Sequence, residues 1–370
     1  MKSFFASRNP DENYLRGLTE MPRQLVFIMG CHRSGTSMLY HLMAYTGAYD
    51  YISAYDIIKY PGLLRNRLEG CEADVKAAVD VAIQIENNRG VDNLPVGANY
   101  PEEYRFLLPP LTPSWFLNVR KHVEKLSFAP HLTERTLSRF LEICRKKRFL
   151  DVGNRPLVLK NPNDFYFNFA ATHRLFPQAK MIFIHRHPLH ILTSYVAGFG
   201  SIVDTKNVYA ELIDPRYQSL FRSPLRRKLF QKAFRGNELP RLVASVLVRS
   251  YRYYLENIRH VPADAYLTMR YEDLCLDAPG HLSRIGNWLE TDTQPRIPDK
   301  FVAPRNLTAP ERVYDAYALY AEDMRPYLER HGYSLFPAAN APKQKYPVDL
   351  PSAECIRDKS AAAPHRHAGR

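Results

Sequence analysis

Short, almost uninterrupted apolar runs alternate along this chain with longer stretches in which apolar residues recur every three or four positions. Four runs have the length and composition of strands: LVFIM at 25–29, LVLK at 157–160, MIFIH at 181–185 and YLTMR at 266–270. Such runs are typical of parallel strands that are covered on both faces. The amphipathic stretches predict helices at 36–46, 72–89, 133–147, 164–175, 238–259 and 311–331. The last helix is predicted to have one apolar face, made of Ala316, Leu319, Tyr320, Met324 and Tyr327. The alternation predicts an α/β protein with a parallel sheet.

The spacing of these elements predicts one main domain. A long, mostly helical segment at about 60–150 separates the first two strands, and we expect it to be an insertion that shapes a binding site. Residues 1–22 are predicted to be an N-terminal extension and 23–340 the domain itself. The polar stretch 341–370, rich in Pro and Ala, is expected to be a flexible tail. The basic stretch 222–235 is either a solvated amphipathic helix or a binding segment.

Charge narrows the choice of partners. The formal net charge of +13 over 370 residues favours an anionic partner, such as a nucleotide, an acidic substrate, a nucleic acid or a membrane surface. The five cysteines are scattered and form no CxxC pair, which argues against a disulfide scaffold or a zinc site. Neither a signal-peptide core nor an apolar run of roughly 20 residues is present. We therefore expect a cytoplasmic protein.

The first strand leads into GCHRSGTSML at 30–39, which is almost a P-loop. Gly30 and Gly35 have the P-loop spacing, but Thr36 stands where a nucleotide triphosphatase carries lysine. A strand, a glycine-bounded loop and a helix N-terminus together form an anion site, because backbone N–H groups converge there. Arg33 supplies a cation from within the loop. The sequence therefore predicts a phosphate-binding loop without the Walker lysine.

This loop resembles the 5′-phosphosulfate loop of the sulfotransferases that use 3′-phosphoadenosine 5′-phosphosulfate (PAPS), of the bacterial and carbohydrate- or protein-directed branch. The resemblance implies a P-loop-like three-layer fold, in which helices flank a central parallel sheet. It also implies that one group of side chains surrounds the phosphosulfate of the donor: Arg33, Ser34, Gly35, Thr36, Ser37 and Met38.

A second segment, MIFIHRHPLHILTSYV, is similar to the part of these enzymes that holds the 3′-phosphate. It places Arg186 directly after a strand and Ser194 eight positions later. A guanidinium group can form two parallel hydrogen bonds with a phosphate. The Arg-Lys-Gly stretch that cytosolic members use for the same phosphate is absent. Arg305 or a basic residue of 222–235 could replace it.

Two further segments extend the resemblance from about residue 23 to 335. MRYEDL at 269–274 is similar to the family segment beside the adenine, so Tyr271 is expected to pack against the purine. PLVLKNP at 156–162 is similar to the strand that brings a lysine to the sulfuryl group, which is Lys160 here. The next residue is Asn161, whereas phenol- and steroid-directed members have a histidine base at that position.

The general base must therefore come from another position. Family branches without the histidine use a carboxylate 20–25 residues after the loop arginine, which here indicates Asp56, with Lys59 as a possible partner. Glu102 and Glu103 are the second candidates, because they resemble an acidic pair of many bacterial members. The sequence does not rank these carboxylates.

The resemblance implies an enzyme of the EC 2.8.2 type that transfers a sulfuryl group from PAPS and releases 3′,5′-ADP (PAP). The acceptor would be a hydroxyl or amine of a carbohydrate, small molecule, lipid or peptide tyrosine, and no metal is expected. A P-loop kinase with a degenerate loop is the first alternative. A non-catalytic module that binds nucleotides or nucleic acid is the second, although no motif for nucleic-acid binding or membrane spanning is visible.

Overall fold

The computed structural model describes residues 9–83, 89, 94, 96–109, 128–214, 217–218, 221–292 and 308–337. Its sheet contains five parallel strands: β1 (Leu25–Met29), β2 (Asp50–Tyr51), β3 (Leu157–Lys160), β4 (Lys180–His185) and β5 (Tyr266–Arg270). Their order across the sheet is β2-β3-β1-β4-β5, so β1 lies at the centre. The prediction of a parallel α/β sheet is confirmed.

Fifteen α-helices lie in the described part of the chain. In chain order they are α1 (Glu12–Leu15), α2 (Thr36–Tyr45), α3 (Ala54–Ile58), α4 (Leu63–Leu68), α5 (Glu72–Ile83), α6 (Glu134–Leu150), α7 (Asn163–Leu175), α8 (Pro188–Asp204), α9 (Val208–Ile213), α10 (Pro224–Arg235), α11 (Glu238–Asn257), α12 (Tyr271–Leu276), α13 (Ala278–Trp288), α14 (Glu311–Ala318) and α15 (Ala321–Arg330). Short 3-10 turns occur at Tyr60–Gly62, Tyr104–Leu107, Ile258–His260 and Ala263–Ala265. None of the helices within the described ranges is long and apolar enough to cross a membrane.

The two faces of the sheet follow the two-residue period of its strands. In β1, Val26 and Ile28 belong to a core cluster that includes residues of α2, α12 and α13. Phe27 lies on the opposite face, in the larger cluster that includes residues of α6, α7 and α11, and it stacks on Phe140 with ring centroids 6.0 Å apart. Both faces are therefore covered, as the apolar strand runs predict.

One predicted helix is wrong, since the stretch 311–331 forms two helices, α14 and α15, rather than one. Tyr320 lies between them with φ −122° and ψ 1°. Met324 and Tyr327 are buried as expected, but Leu319 is 64% exposed, because the break turns it away from the core. Neither glycine nor proline marks this break in the sequence.

Some predictions lie outside the described residues. These are the tail at 341–370, Arg305, most of the segment 84–95 and residues 110–127 of the insertion. The rest of the insertion contributes α4, α5, α6 and the 3-10 turn Tyr104–Leu107.

Candidate active site

The glycine-bounded loop lies between the end of β1 and the start of α2, at the carboxyl edge of the sheet. Two of its glycines are required by close contacts. A Cβ on Gly30 would lie 2.6 Å from Ser34 Oγ and 2.7 Å from the carbonyl oxygen of Ile184. Gly35 has φ +102°, and its Cβ would lie 2.2 Å from Tyr271 Cδ2. The loop is thus packed directly against β4 and α12.

His32 supports the conformation of the loop and is not placed to act as a base. Its backbone N–H donates to the hydroxyl of Tyr166 at 2.9 Å, and the two rings stack with centroids 5.5 Å apart. Burial lowers the pKa of His32 to about 3. The imidazole is therefore neutral at physiological pH, and Tyr166 holds it against α7.

The loop is joined to the start of α8 by two arginines. Arg33 has a left-handed backbone, with φ +69°, and its Nε donates to Ser194 Oγ at 2.9 Å. Arg186 Nη1 donates to the carbonyl oxygen of Arg33 at 2.9 Å, and its guanidinium lies 4.3 Å from the centroid of the Tyr271 ring. Residues from three distant segments of the sequence therefore meet in one cluster, which we call the arginine cluster: Arg33, Arg186, Ser194 and Tyr271.

The arginine cluster fits an anionic ligand. Within the described ranges, Arg186 Nε is buried without a hydrogen-bond acceptor. A buried donor without a partner is costly, so the site has a chemical reason to bind an oxyanion. Tyr271, by contrast, is largely covered by Gly35 and Arg186, with 6% of its surface exposed. Its packing against a purine stays a prediction.

Lys160 stands at the end of β3, next to the loop. Its Nζ donates to Ser37 Oγ at 2.7 Å and to Glu103 Oε1 at 2.7 Å. Burial lowers the pKa of Lys160, while the neighbouring Glu103 carboxylate opposes that shift. The strand thus delivers one cation to the first turn of α2.

The acidic pair reaches the same edge of the sheet from the insertion. Pro101 forms an isolated bridge with Ser53, and the N–H of Glu102 donates to the carbonyl oxygen of Ile52 at 2.8 Å. These contacts hold residues 101–103 beside the end of β2. Glu102 and Glu103 therefore lie next to the end of β2, although they are distant from this edge strand in the sequence.

Glu103 is held between two cations. Lys160 lies at one carboxylate oxygen, and Arg105 Nε lies 2.6 Å from the other in an ion pair whose geometry is not that of a hydrogen bond. Burial acts to raise the pKa of Glu103, but Lys160 and Arg105 outweigh it and hold the pKa well below its usual range. The carboxylate is therefore ionised at neutral pH.

Glu102 faces a different set of partners. The hydroxyl of Tyr209, on α9, donates to Glu102 Oε2 at 2.8 Å. Arg89 Nη2 lies 3.4 Å from Glu102 Oε1, and Arg89 Nη1 lies 3.5 Å from Ser37 Oγ. Arg89 thus spans from the insertion to the loop. The sequence carried no signal for Arg89, Arg105 or Tyr209, because their roles arise from contacts between distant segments.

Asp56 has structural partners. It closes a capping box at the start of α3 by accepting the N–H of Ser53 at 2.8 Å. Lys147 Nζ lies 3.0 Å from Asp56 Oδ2 and 3.1 Å from Asp50 Oδ1. The same oxygen of Asp56 therefore anchors α3 to α6, and these contacts do not bring it to Lys160.

Asn161 supports the segment after β3. Its Nδ2 donates to Asp164 Oδ2 at 2.6 Å, and the same carboxylate accepts from the hydroxyl of Tyr104 at 2.6 Å and from the N–H of His131 at 2.8 Å. Asp164, on α7, thereby binds Tyr104, the residue that follows Glu103. Within the described ranges, no group of three or more His, Cys, Asp or Glu side chains could hold a metal.

Comparison with known proteins identifies the relatives of this chain. The sequence profile described as "Sulfotransferase family" matches residues 25–295. The omega-hydroxy-beta-dihydromenaquinone-9 sulfotransferases Stf3 of Mycobacterium bovis and Mycobacterium tuberculosis are each 26% identical over 268 residues. These matches cover 70% of this chain and 61% of the relatives' length. The crystal structure of sulfotransferase STF9 from Mycobacterium avium superposes with a TM-score of 0.52 at 16% identity, over 88% of this chain and 74% of that one, which shows a shared fold.

Proposed function

Since this chain belongs to the sulfotransferase family, we propose that it transfers a sulfuryl group from PAPS to a hydroxyl group of an acceptor. The observation that carries the proposal is the arginine cluster. It joins the glycine-bounded loop to Arg186 and Ser194, which the family resemblance assigns to opposite ends of one 3′,5′-bisphosphate nucleotide. The kinase alternative has no support, because the matching family is that of sulfotransferases and the Walker lysine is absent.

We further propose how the residues divide the donor site. The loop residues 33–38 bind the 5′-phosphosulfate, and Arg186 with Ser194 binds the 3′-phosphate. Arg33 Nε donates to the hydroxyl of Ser194. A phosphate oxygen bound beside Ser194 could replace that hydroxyl as the acceptor. Positive charge from guanidinium groups and loop N–H groups then stabilises the anionic product 3′,5′-ADP.

We assign the general base to Glu103. The acceptor O–H bond breaks and its proton passes to this carboxylate, while the oxygen forms a bond to sulfur and the bond from sulfur to the 5′-phosphate oxygen breaks. Lys160 stabilises the charge that develops on the departing phosphate. Glu103 is the member of the acidic pair that contacts Lys160 directly, and moving Lys160 toward the donor would raise its basicity.

The names of the relatives bear on the acceptor class. The named relatives act, by their names, on a hydroxylated dihydromenaquinone, and we propose a hydroxyl acceptor for this chain. We also propose that 23–340 is one catalytic domain. The contact of Glu103 with Lys160 and that of Glu102 with Arg89 support including the insertion in this domain.

Isothermal titration calorimetry with 3′,5′-ADP, compared with ATP plus Mg²⁺, tests the donor. We expect 3′,5′-ADP to bind without metal and more tightly than ATP. Arg186→Ala should weaken 3′,5′-ADP by about 10- to 100-fold, since a charged hydrogen-bond donor is lost. Arg325→Ala is the matched control, because it removes an arginine that pairs with Glu322 on the surface of α15. Tighter binding of ATP, or equal affinities of the two arginine variants, would contradict the proposal.

A further inference from the structure

The basic stretch around α10 is unusual in its charge. Of the 23 residues from 215 to 237, seven are basic and none is acidic. The basic residues are Arg216, Arg222, Arg226, Arg227, Lys228, Lys232 and Arg235. A run of this density that contains no carboxylate of its own creates a local positive field, which the catalytic site described above does not use.

Contacts on one side of α10 determine how the helix is oriented. Arg227 Nε donates to the carbonyl oxygen of Val203 at 3.0 Å, and Gln231 Nε2 donates to Asp204 Oδ1 at 2.9 Å. Arg235 pairs with the same Asp204 carboxylate at 3.0 Å. Three side chains thus attach α10 to the C-terminal end of α8. The side of α10 about a third of a turn away from these residues faces outward, as the exposure of its side chains shows.

The outward side combines apolar and cationic residues. Leu225 is 72% exposed and Leu229 is 53% exposed, while Lys228 and Lys232 are exposed beside them. These four positions have the spacing i, i+3, i+4 and i+7, so they share one helix face. We call them the outer face of α10.

We propose that the outer face of α10 docks on an anionic lipid surface. Two leucines four residues apart can enter the boundary between headgroups and acyl chains, while the neighbouring lysines extend to the headgroup phosphates. Clusters of four to eight basic residues on an amphipathic helix are typical of binding to anionic lipids.

The composition of the outer face distinguishes a lipid surface from a nucleic acid. Phosphate binding by a nucleic acid would use the lysines but would leave both leucines exposed to water. The four residues of the outer face also include no aromatic side chain on which a base could stack. This inference is independent of the reaction proposed above, because it uses none of the residues assigned to the donor or to the general base.

Co-sedimentation of the full chain with vesicles tests the proposal. The vesicles are pure phosphatidylcholine, or phosphatidylcholine with about 30% phosphatidylglycerol, and the salt concentration is varied. We expect binding to the anionic vesicles alone, and we expect it to weaken as salt rises. Lys228→Gln with Lys232→Gln should lower the partition coefficient by about 10- to 30-fold. Leu225→Ser with Leu229→Ser should lower it by about 10-fold or more.

The control is a second leucine pair, Leu276→Ser with Leu319→Ser. It replaces side chains that are 77% and 64% exposed, at the end of α12 and between α14 and α15. It should bind like the unaltered protein, and 3′,5′-ADP affinity should be the same in every variant. Equal binding to neutral and anionic vesicles overturns the proposal, as does an equal loss in the control pair. If the leucines of the outer face make no difference while a single-stranded RNA probe binds in a lysine-dependent way, the face is a nucleic-acid site instead. If the serine variant fails to fold, the lysine variant and the salt dependence decide.

Discussion

Replacement of Gly35 by alanine should damage the arginine cluster without removing any of its polar atoms. The added Cβ would lie 2.2 Å from Cδ2 and 3.0 Å from Cε2 of the Tyr271 ring. The ring has little room to retreat, because it is 6% exposed and the guanidinium of Arg186 lies on it at 4.3 Å. Relief of the clash must therefore displace Tyr271, Arg186 or the loop itself.

The expected loss of unfolding free energy in Gly35→Ala has two parts, backbone strain and a steric clash. Gly70→Ala serves as the control that has the strain alone. Gly70 also has a positive φ, +73°, but no atom lies within 4 Å of the Cβ position. Its substitution should cost about 1–2 kcal/mol of unfolding free energy from backbone strain alone. Gly35→Ala adds a clash in a packed site, about 1–3 kcal/mol. With an unfolding entropy of about 0.8 kcal/mol/K for a chain of this length, the excess corresponds to a further fall in Tm of about 1–4 °C.

The assay compares both variants by thermal unfolding and by titration with 3′,5′-ADP. We expect Gly35→Ala to lower Tm more than Gly70→Ala, and to weaken 3′,5′-ADP by about 10-fold or more because Arg186 is displaced. Gly70→Ala should leave that affinity unchanged. Equal Tm shifts in the two variants would refute the reasoning, since the contact between Gly35 and Tyr271 would then have no energetic consequence.

Two further results are expected. Glu103→Gln should lower kcat by about 100- to 10,000-fold with 3′,5′-ADP affinity nearly unchanged. The rate is measured as 3′,5′-ADP released from PAPS with a screened hydroxylated acceptor. A greater loss of kcat in Glu102→Gln would assign the general base to Glu102 instead. His187, whose pKa is lowered to about 4 mainly by burial, should destabilise the fold as the pH falls from about 6.5 toward about 4, because the unfolded chain then binds the extra proton. His187→Asn should flatten this fall in Tm, since Asn can replace the side chain that caps Leu189 N–H but does not titrate; an unchanged pH profile would assign the loss to other groups.

The strands were predictable because burial on both faces leaves a continuous apolar run. Each of the four predicted strands matches the structure within one residue, while β2 was missed because two residues, Asp50 and Tyr51, carry no pattern. The break at Tyr320 was missed for the opposite reason. Its apolar periodicity continues through the break, and the non-helical backbone of Tyr320 has no counterpart in the sequence pattern.

The contacts among the residues proposed for the donor were more predictable than those among the residues proposed for the acceptor side. Loop residues such as Arg33 lie in short motifs next to strands, and the fold brings the loop to Ser194 across 161 positions. On the acceptor side, the distance from the loop arginine indicated Asp56, but in the structure that carboxylate contacts Ser53 and Lys147. Sequence spacing could not show that the insertion returns an acidic pair to the end of β2.

The residues proposed for the two sides of the site come from different parts of the fold. Lys160 belongs to β3 and Ser37 to α2, so both are placed by the same core that positions the proposed donor site. Glu103 and Arg89 come from the insertion, and Tyr209 comes from the segment after α8. If the proposed division of the site holds, substitution or lengthening of these outer segments reshapes the acceptor side while the loop, Lys160 and the arginine cluster keep their positions. The proposed function thus predicts that one donor chemistry can be combined with different acceptors, because function depends on the grafted site and not on the fold alone.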